Sequence, residues 1–189
     1  MSNSIPTAGI APVLWGYHFW CAMHSIIFIS CPKVTEYMKR ELLIGFCATL
    51  PCMSCRTALV LFMYTCPIMS DLNTWLYRAH EYVNCKLRKP GLSREDAEEK
   101  QAFNQQTAVV DISFMIYILN NHIGPAEISS IHAQHVSNLL QYCNAVFPSY
   151  MWPQSVHTKQ EADSMLLSIC GIAPHIMKSL LAGARSVNR

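Results

Sequence analysis

"TLPCMSCRTA", residues 49–58, places two cysteines two residues apart, after a proline and ahead of an apolar run with helical spacing. If a helix begins at Cys52, that sulfur lies against unsatisfied backbone N–H groups at the positive end of the helix dipole, which stabilise a thiolate. The positive charge of Arg56 is expected to lower the thiol pKa further from its free value of about 8.5. A disulfide across so short a loop gains little chain entropy, so the pair suits thiol–disulfide exchange better than reinforcement of the fold.

The surroundings of this stretch decide the fold class. A thioredoxin-type fold also places such a motif at a helix start, but it requires flanking strands. Alternation of apolar and polar residues is hard to find along the chain, whereas apolar residues at spacings of three and four recur throughout. The sequence therefore predicts an all-α fold and favours an all-helical redox site over two ordinary buried thiols. Helices are expected over 12–29, 34–48, 52–65, 71–88, 94–122, 127–147 and 160–182.

Proline and charge mark the breaks between these helices. The breaking positions are Pro32, Pro51, Pro67 and the pair Pro90-Gly91. Ser93 with Asp96 resembles a capping box for the next helix. The charged segment "RKPGLSREDAEEK" is the best candidate boundary, so we divide the chain into a module over 1–92 and a helical extension over 93–189. Within the extension, Gly124-Pro125 and the loop at 147–155 separate the helices.

Composition excludes several classes of protein. The chain has 189 residues, of which 51% are hydrophobic and 14% charged, so a disordered class is not expected. The net charge of +2 is scattered, which does not favour nucleic acid as a partner. The longest apolar stretches fall short of the ~18–20 residues that span a bilayer, so no transmembrane helix is expected. Residues 1–30 contain no Lys or Arg, so we expect no signal peptide and an intracellular protein.

The other cysteines and two histidines offer no comparable site. All the other cysteines stand alone along the chain and are expected to be small buried hydrophobes: Cys21, Cys31, Cys47, Cys66, Cys85, Cys143 and Cys170. A zinc site at the pair needs two further ligands, and the nearest are His132 and His135 in "HAQH". These histidines are more simply part of a polar or partly buried helix face, and no metal is predicted. Cys143 and Cys170 can pair only if the fold brings their helices together.

Two further constellations suggest a flat ligand. Trp20 and His24 lie four residues apart on one face of the first helix, a spacing that core packing alone also explains. His80 and Asn84 repeat this spacing, and Lys86 and Lys89 follow. An aromatic ring and an imidazole can flank a planar heterocycle, while an amide and two ammonium groups can hold polar edges and phosphates.

At this point the sequence resembles the small FAD-dependent sulfhydryl oxidases of the Erv/ALR family. Three elements occur in order: GxxxWxxxH from Gly16 to His24, the pair after Pro51, and WLxxxHxxVNxKLxKP from Trp75 to Pro90. The match covers residues 14–90. "TLPCMSCR" is similar to the motif of the shorter oxidases of large DNA viruses, which implies a viral protein located in the host cytoplasm, the nucleus or the virion.

The resemblance implies a four-helix bundle that binds FAD, a homodimer, and electron transfer from dithiols through flavin to oxygen, giving hydrogen peroxide. Cys52 is implied to meet the substrate and Cys55 to face the flavin; a thioredoxin-like or other dithiol protein is the expected substrate. The residues implied for the cofactor site are Gly16, Trp20, His24, His80, Asn84, Lys86 and Lys89. The extension carries an amphipathic stripe that is expected to cover the bundle, build a dimer interface or recruit a partner. The stripe includes Phe103, Val110, Phe114, Tyr117 and Ile118.

The chain also departs from the family pattern. Tyr17, Leu50 and Glu81 stand where many relatives have arginine, tyrosine and asparagine, and the cysteine that commonly follows the Lys-Pro segment is missing. Tyr17 and Glu81 give weight to a rival hypothesis, a non-enzymatic helical interaction protein that has lost flavin. A zinc-binding helical module is a third hypothesis.

Overall fold

The computed structural model describes residues 12–68, 71–91, 105–121 and 126–171, and these residues fold into helices with no strand among them. The prediction of an all-α fold is therefore confirmed for the described chain, while the FAD-binding four-helix bundle stays a prediction. The helices, numbered in chain order, are α1 Pro12–Phe28, α2 Glu36–Thr49, α3 Met53–Thr65, α4 Leu72–Lys86, α5 Gln105–Asn121, α6 Ala126–Val146 and α7 Lys159–Cys170.

Local side-chain chemistry explains where several helices begin. The Thr35 hydroxyl accepts a hydrogen bond from the N–H of Met38 at 3.2 Å and caps α2. Asp71 caps α4 in the same way, through the N–H of Thr74 at 3.1 Å. These starts lie one or two residues from the predicted ones. The predicted capping box at Ser93 and Asp96 lies outside the described residues.

The helices pack in three pairs. α1 and α2 form the middle pair; α4 packs on α1 and α3 packs on α2, while α5 and α6 cover another side of α1 and α2 respectively. α7 lies on α5. One hydrophobic core runs through these contacts and includes Phe19 of α1, Phe46 of α2, Trp75 of α4 and Ile118 of α5. The helices of the extension thus share a core with those of the first module.

The amphipathic stripe of the extension faces this core. Phe114, Tyr117 and Ile118 on α5 are buried, and the ring of Phe114 lies 4.4 Å from the ring of His18 on α1, measured between centroids. Phe103 lies outside the described residues. The packing of α5 on α1 means that this stripe covers the bundle within the described chain.

The last described helix is shorter than predicted. A continuous helix over 160–182 was expected, but α7 ends at Cys170 because Gly171 adopts a left-handed conformation with φ of 65° and its N–H bonds back to the Leu167 carbonyl at 3.1 Å. Glycine accepts this conformation without the steric cost that a Cβ imposes. Of the described helices, none combines the length and the apolar character needed to cross a membrane.

Candidate functional site

The two paired cysteines lie where α3 begins. Their sulfurs lie within disulfide distance and the Cα atoms are 5.2 Å apart, which confirms that the pair can close a disulfide. Cys52 is the N-cap of α3, and its Sγ accepts a hydrogen bond from the N–H of Cys55 at 3.3 Å. The Ser54 hydroxyl lies 3.2 Å from the same sulfur, and because a disulfide sulfur has no hydrogen, this hydroxyl is the donor. Both donors are placed to stabilise a thiolate on Cys52 after reduction.

The turn between α2 and α3, residues 50–52, is held in place by two side-chain hydrogen-bond donors. The carbonyls at the end of a helix have no partner within the helix, and Pro51 removes one backbone donor that could serve them. The Arg56 guanidinium donates to the Leu50 carbonyl at 3.3 Å. Nε2 of His132, on α6, lies 3.1 Å from the Thr49 carbonyl and must carry the proton, because a carbonyl oxygen only accepts. The extension therefore holds the chain just ahead of Cys52.

The structure brings Trp20 of α1 and His80 of α4 into direct contact. Their rings stack with centroids 4.0 Å apart and an angle of 8° between the planes. At this separation the rings touch, so no planar group fits between them. The interpretation that an aromatic ring and an imidazole flank a heterocycle from two sides therefore needs correction: a planar ligand in this arrangement would lie beside the stacked pair.

His24 extends this cluster towards the core. Its ring centroid lies 6.0 Å from that of His80 and 6.1 Å from that of Phe28, and the residue is only 5% exposed. Burial, with the nearby His80, lowers the pKa of His24 to about 3. Burial also lowers the pKa of His80 to about 4, where the Lys89 charge acts in the same direction and Glu81 opposes it. Both imidazoles are thus neutral near neutral pH.

One polar atom of the cluster, Nε2 of His24, lacks a hydrogen-bond partner among the described residues. This nitrogen is also buried. An unpartnered buried polar group costs about 1–3 kcal/mol. Among the described residues, polar atoms of Ser113, His135 and Tyr142 are also buried without a partner. A polar atom on the edge of a bound ligand would satisfy the His24 nitrogen.

The end of α4 brings a cation back towards His80. Arg88 adopts a left-handed conformation with φ of 53°, the Lys89 N–H bonds to the Asn84 carbonyl at 3.0 Å, and the Arg88 N–H bonds to the Cys85 carbonyl at 3.1 Å. This pair of bonds defines a Schellman turn, which folds the chain back over the last turn of the helix. Pro90 follows and prevents the helix from continuing. The turn explains how Lys89, nine residues after His80, affects the pKa of that histidine.

The other residues predicted for the cofactor site are less closely joined to the cluster. Lys86 is exposed and its ammonium lies 5.0 Å above the ring of Tyr82. Asn84 is half-buried one turn after His80. Gly16 lies one turn before Trp20, and a Cβ built there would have no atom within 4 Å, so the packing of the described chain does not require glycine at this position.

The cysteine pair and the aromatic cluster share the core but lie on different helices. The ring of Phe19 lies 5.0 Å from that of its neighbour Trp20 and 5.8 Å from that of Phe46 on α2. Phe46 lies one turn before the end of α2, which leads into Cys52. Cys55 also packs against the hydrophobic core. Continuous packing thus connects the two parts of the candidate site.

The two histidines considered as metal ligands have packing roles. His132 bonds to the Thr49 carbonyl, as described above. His135 is fully buried, its ring lies 4.7 Å from that of Phe46, and a Cβ on Gly45 would lie 2.1 Å from its Nδ1. In the described part of the chain, no group of three or more potential metal ligands occurs.

The remaining cysteines differ in exposure. Cys47 and Cys143 are buried, as predicted, and burial raises the pKa of Cys47 to about 12. Cys85, however, is exposed on α4, because its helical position points away from the buried face that carries Trp75 and Ala79. The side chain of Cys170 lies outside the described residues, so its pairing with Cys143 stays a prediction.

One contact was missed by the sequence analysis altogether. Nδ1 of His18 on α1 lies 2.6 Å from a carboxylate oxygen of Asp111 on α5. The two residues are 93 positions apart, and no local pattern connects them. The only signal in the sequence was a single acidic residue inside an otherwise apolar stretch, which requires a partner when buried.

Comparisons of this chain with protein-family models, with curated proteins and with solved structures gave no match.

Proposed function

We propose that this chain is an FAD-dependent sulfhydryl oxidase that forms disulfides in protein dithiols and passes the electrons to oxygen. The observation that carries the proposal is the Cys52–Cys55 pair at the start of α3, in the same core as the Trp20–His80 stack. A helix N-terminus activates the sulfurs, and the stack offers an aromatic surface for a flat cofactor. The resemblance to the Erv/ALR family supports the same assignment.

The residues around the stack fit FAD in their chemistry. The unpartnered Nε2 of His24 can bond to a polar atom on a ring edge. Trp20 and His80 are each half-buried, so their exposed aromatic surface suits a planar group, and Lys86 and Lys89 suit the phosphates. Because His24 and His80 are neutral, the cluster binds an aromatic ring without first burying a charge. When bound, FAD supplies a two-electron acceptor that oxygen can reoxidise.

The chain's own residues perform the thiol–disulfide exchange. A substrate thiolate attacks Sγ of Cys52, a mixed disulfide forms, and Cys55 leaves as a thiolate. A second substrate thiolate then attacks the mixed disulfide, which releases the oxidised substrate and leaves Cys52 and Cys55 reduced. The N–H of Cys55 and the hydroxyl of Ser54 stabilise the thiolate that forms on Cys52. The overall reaction converts two thiols and one oxygen molecule into a disulfide and hydrogen peroxide.

The test uses two single cysteine variants and their oxygen consumption with dithiothreitol. Cys55→Ser is expected to abolish dithiol-dependent oxygen consumption while flavin remains bound, because Cys52 can no longer form its disulfide with residue 55. Cys85→Ser removes an exposed free thiol outside the pair and serves as the matched control, with activity unchanged. Retained oxygen consumption in Cys55→Ser would contradict the assignment.

A non-enzymatic interaction protein is the second candidate, and one observation favours it. Trp20 and His80 contact each other directly, so their stack can serve as packing between α1 and α4. A purified protein that is colourless and does not oxidise dithiols would support this alternative.

The proposed homodimer must be compatible with the extension. α5 and α6 cover one side of α1 and α2, so a second copy would bind elsewhere on the molecule. Sedimentation of the full chain measures this directly, and a single monomeric species would contradict the dimer.

A further inference from the structure

Helix α6 of the extension contacts the chain three residues before the cysteine pair. Nε2 of His132 lies 3.1 Å from the Thr49 carbonyl, although the two residues are 83 positions apart in the sequence. Thr49 has no exposed surface and His132 is only 7% exposed, so bulk water does not supply a substitute donor for this carbonyl. An unpaired buried carbonyl is unfavourable. The position of the chain at Thr49 therefore depends on a residue of α6.

The end of α2 and the start of α3 act on Cys52 with opposite partial charges. The helix dipole places negative partial charge on the last carbonyls of α2 and positive partial charge on the first N–H groups of α3. The first destabilises a thiolate on Cys52 and the second stabilises it. His132 donates to the Thr49 carbonyl and Arg56 to the Leu50 carbonyl, at 3.1 and 3.3 Å. These two donors offset the negative partial charge and so favour the thiolate.

The short connection between α2 and α3 transmits any displacement at Thr49 to Cys52. It contains only residues 50–52, and the ring of Pro51 fixes one of its backbone torsions. Cys52 is the N-cap of α3, and its Sγ accepts a hydrogen bond from the N–H of Cys55 at 3.3 Å. Hydrogen bonds weaken steeply when their geometry is lost. Loss of the bond to Thr49 is therefore expected to move this sulfur away from the donor that stabilises its thiolate.

We propose that His132 is a positioning residue for Cys52, and that α6 of the extension thereby sets the reactivity and the reduction potential of the Cys52–Cys55 pair. The inference rests on the proposed oxidase function in one respect, namely that Cys52 exchanges with substrate thiols. With the bond to Thr49 in place, the reduced pair is stabilised as a thiolate, which makes the disulfide a stronger oxidant. Without that bond, the disulfide form is favoured and reduced Cys52 reacts more slowly.

The first measurement is the equilibrium of the full chain with glutathione in the absence of oxygen. In this exchange two glutathione thiols are oxidised to glutathione disulfide, and the Cys52–Cys55 disulfide is reduced to two thiols. We expect His132→Ala to shift the equilibrium constant about threefold towards the protein disulfide, the size of effect that a helix terminus has on a nearby charge. His132→Gln is expected to restore the wild-type value, because its amide nitrogen can donate from the position of Nε2.

His135→Ala is the matched control for the packing of α6 on α2. His135 lies one turn after His132, is buried, and packs against Phe46 with ring centroids 4.7 Å apart. Its ring nitrogens have no partner among the described residues. Its removal therefore disturbs the contact between the two helices without removing the donor to the Thr49 carbonyl. We expect the glutathione equilibrium of this variant to match that of the wild-type protein.

The second measurement is the rate at which reduced Cys52 reacts with iodoacetamide at pH 7, with alkylation at this residue followed by mass spectrometry. Only the thiolate reacts, so His132→Ala should slow the reaction about threefold, and His132→Gln should restore it. His132→Asn carries the same amide one methylene shorter than glutamine and cannot reach the carbonyl. It takes the place of His132→Ala if circular dichroism shows that the alanine variant does not fold.

The outcomes separate this inference from the oxidase function. An equilibrium and an alkylation rate that His132→Ala or His132→Asn leaves unchanged would overturn the positioning role, as would a failure of His132→Gln to restore them. An equal shift in His135→Ala would overturn it in favour of general packing between α2 and α6. A wild-type chain that consumes no oxygen with dithiothreitol would refute the oxidase, whereas the expected shifts in both thiol measurements would still support the role of His132.

Discussion

Replacing Gly45 by alanine is expected to destabilise the protein, although alanine is the better helix former. Gly45 lies in α2 where α6 crosses, and a Cβ at this position would lie 2.1 Å from Nδ1 and 2.7 Å from Cγ of His135. Non-bonded atoms normally pack at about 3.5–4.0 Å, so one helix must move by more than about 1 Å. The His135 ring cannot turn aside, because it is buried and packs edge-on against Phe46 with centroids 4.7 Å apart.

The change in the free energy of unfolding on Gly45→Ala is the difference between two opposing contributions. Glycine to alanine within a helix stabilises by about 0.5–1 kcal/mol, while overpacking a filled core costs about 1–3 kcal/mol and occasionally more. Because the approach to the His135 ring is so close, the overpacking cost lies in the upper part of this range, about 2–3 kcal/mol, and we expect Gly45→Ala to lower the free energy of unfolding by about 1–2 kcal/mol. At about 2–4 °C per kcal/mol for a chain of this size, the Tm should fall by about 2–8 °C.

Gly16 provides the matched control for this prediction. It lies in α1, and a Cβ there meets no atom of the described residues within 4 Å. Gly16→Ala should therefore raise the free energy of unfolding by about 0.5–1 kcal/mol. Urea unfolding of both variants gives the comparison. Combining Gly45→Ala with His135→Ala should show a favourable coupling of about 1 kcal/mol or more, because the clash is removed. Equal effects of alanine at Gly16 and Gly45 would refute the close approach of α2 and α6.

Three further predictions concern the protonation of two histidines, the hydrogen bond between His18 and Asp111, and the turn at Arg88. Burial lowers the pKa of His24 to about 3 and that of His80 to about 4, so below the ordinary value of 6.5 the unfolded chain binds more protons. The free energy of unfolding should thus fall as the pH drops from 6.5 towards 4, and a flat urea-unfolding profile over this range would contradict their burial. Asp111→Ala should destabilise by about 1–3 kcal/mol and show a coupling of about 1 kcal/mol with His18→Ala in a double-mutant cycle; additive effects would argue against the hydrogen bond between them. Arg88→Gly should raise the Tm, since it relieves a left-handed conformation that costs a non-glycine residue about 1 kcal/mol; a lower Tm would contradict that turn.

The helices were predictable because their signals are local. The spacing of apolar residues located each helix. Pro51 and Pro67 marked breaks on either side of α3, because proline interrupts a helix through its own missing N–H and ring, independently of tertiary contacts. The end of α7 was missed although Gly171 carries a recognised C-terminal signal, because a helical pattern was extended through it. Single positions at helix ends therefore limit sequence-based bounds more than the helices themselves do.

The candidate site was predictable in its residues and not in their contacts. Spacing placed Trp20 with His24, and His80 with Asn84, each on one helix face. That Trp20 would stack directly on His80 depends on how α1 crosses α4, which side-chain periodicity does not specify. The contacts of His132 with Thr49 and of His18 with Asp111 join residues far apart in the chain, so only the folded structure reveals them.

The visible absorption spectrum of the purified full chain tests the oxidase assignment most directly. We expect a bound flavin whose oxidised band bleaches when dithiothreitol is added without oxygen, returns when air is admitted, and does not bleach in the Cys55→Ser variant. A protein that stays colourless after incubation with FAD, or a flavin band that dithiothreitol does not change, would contradict it.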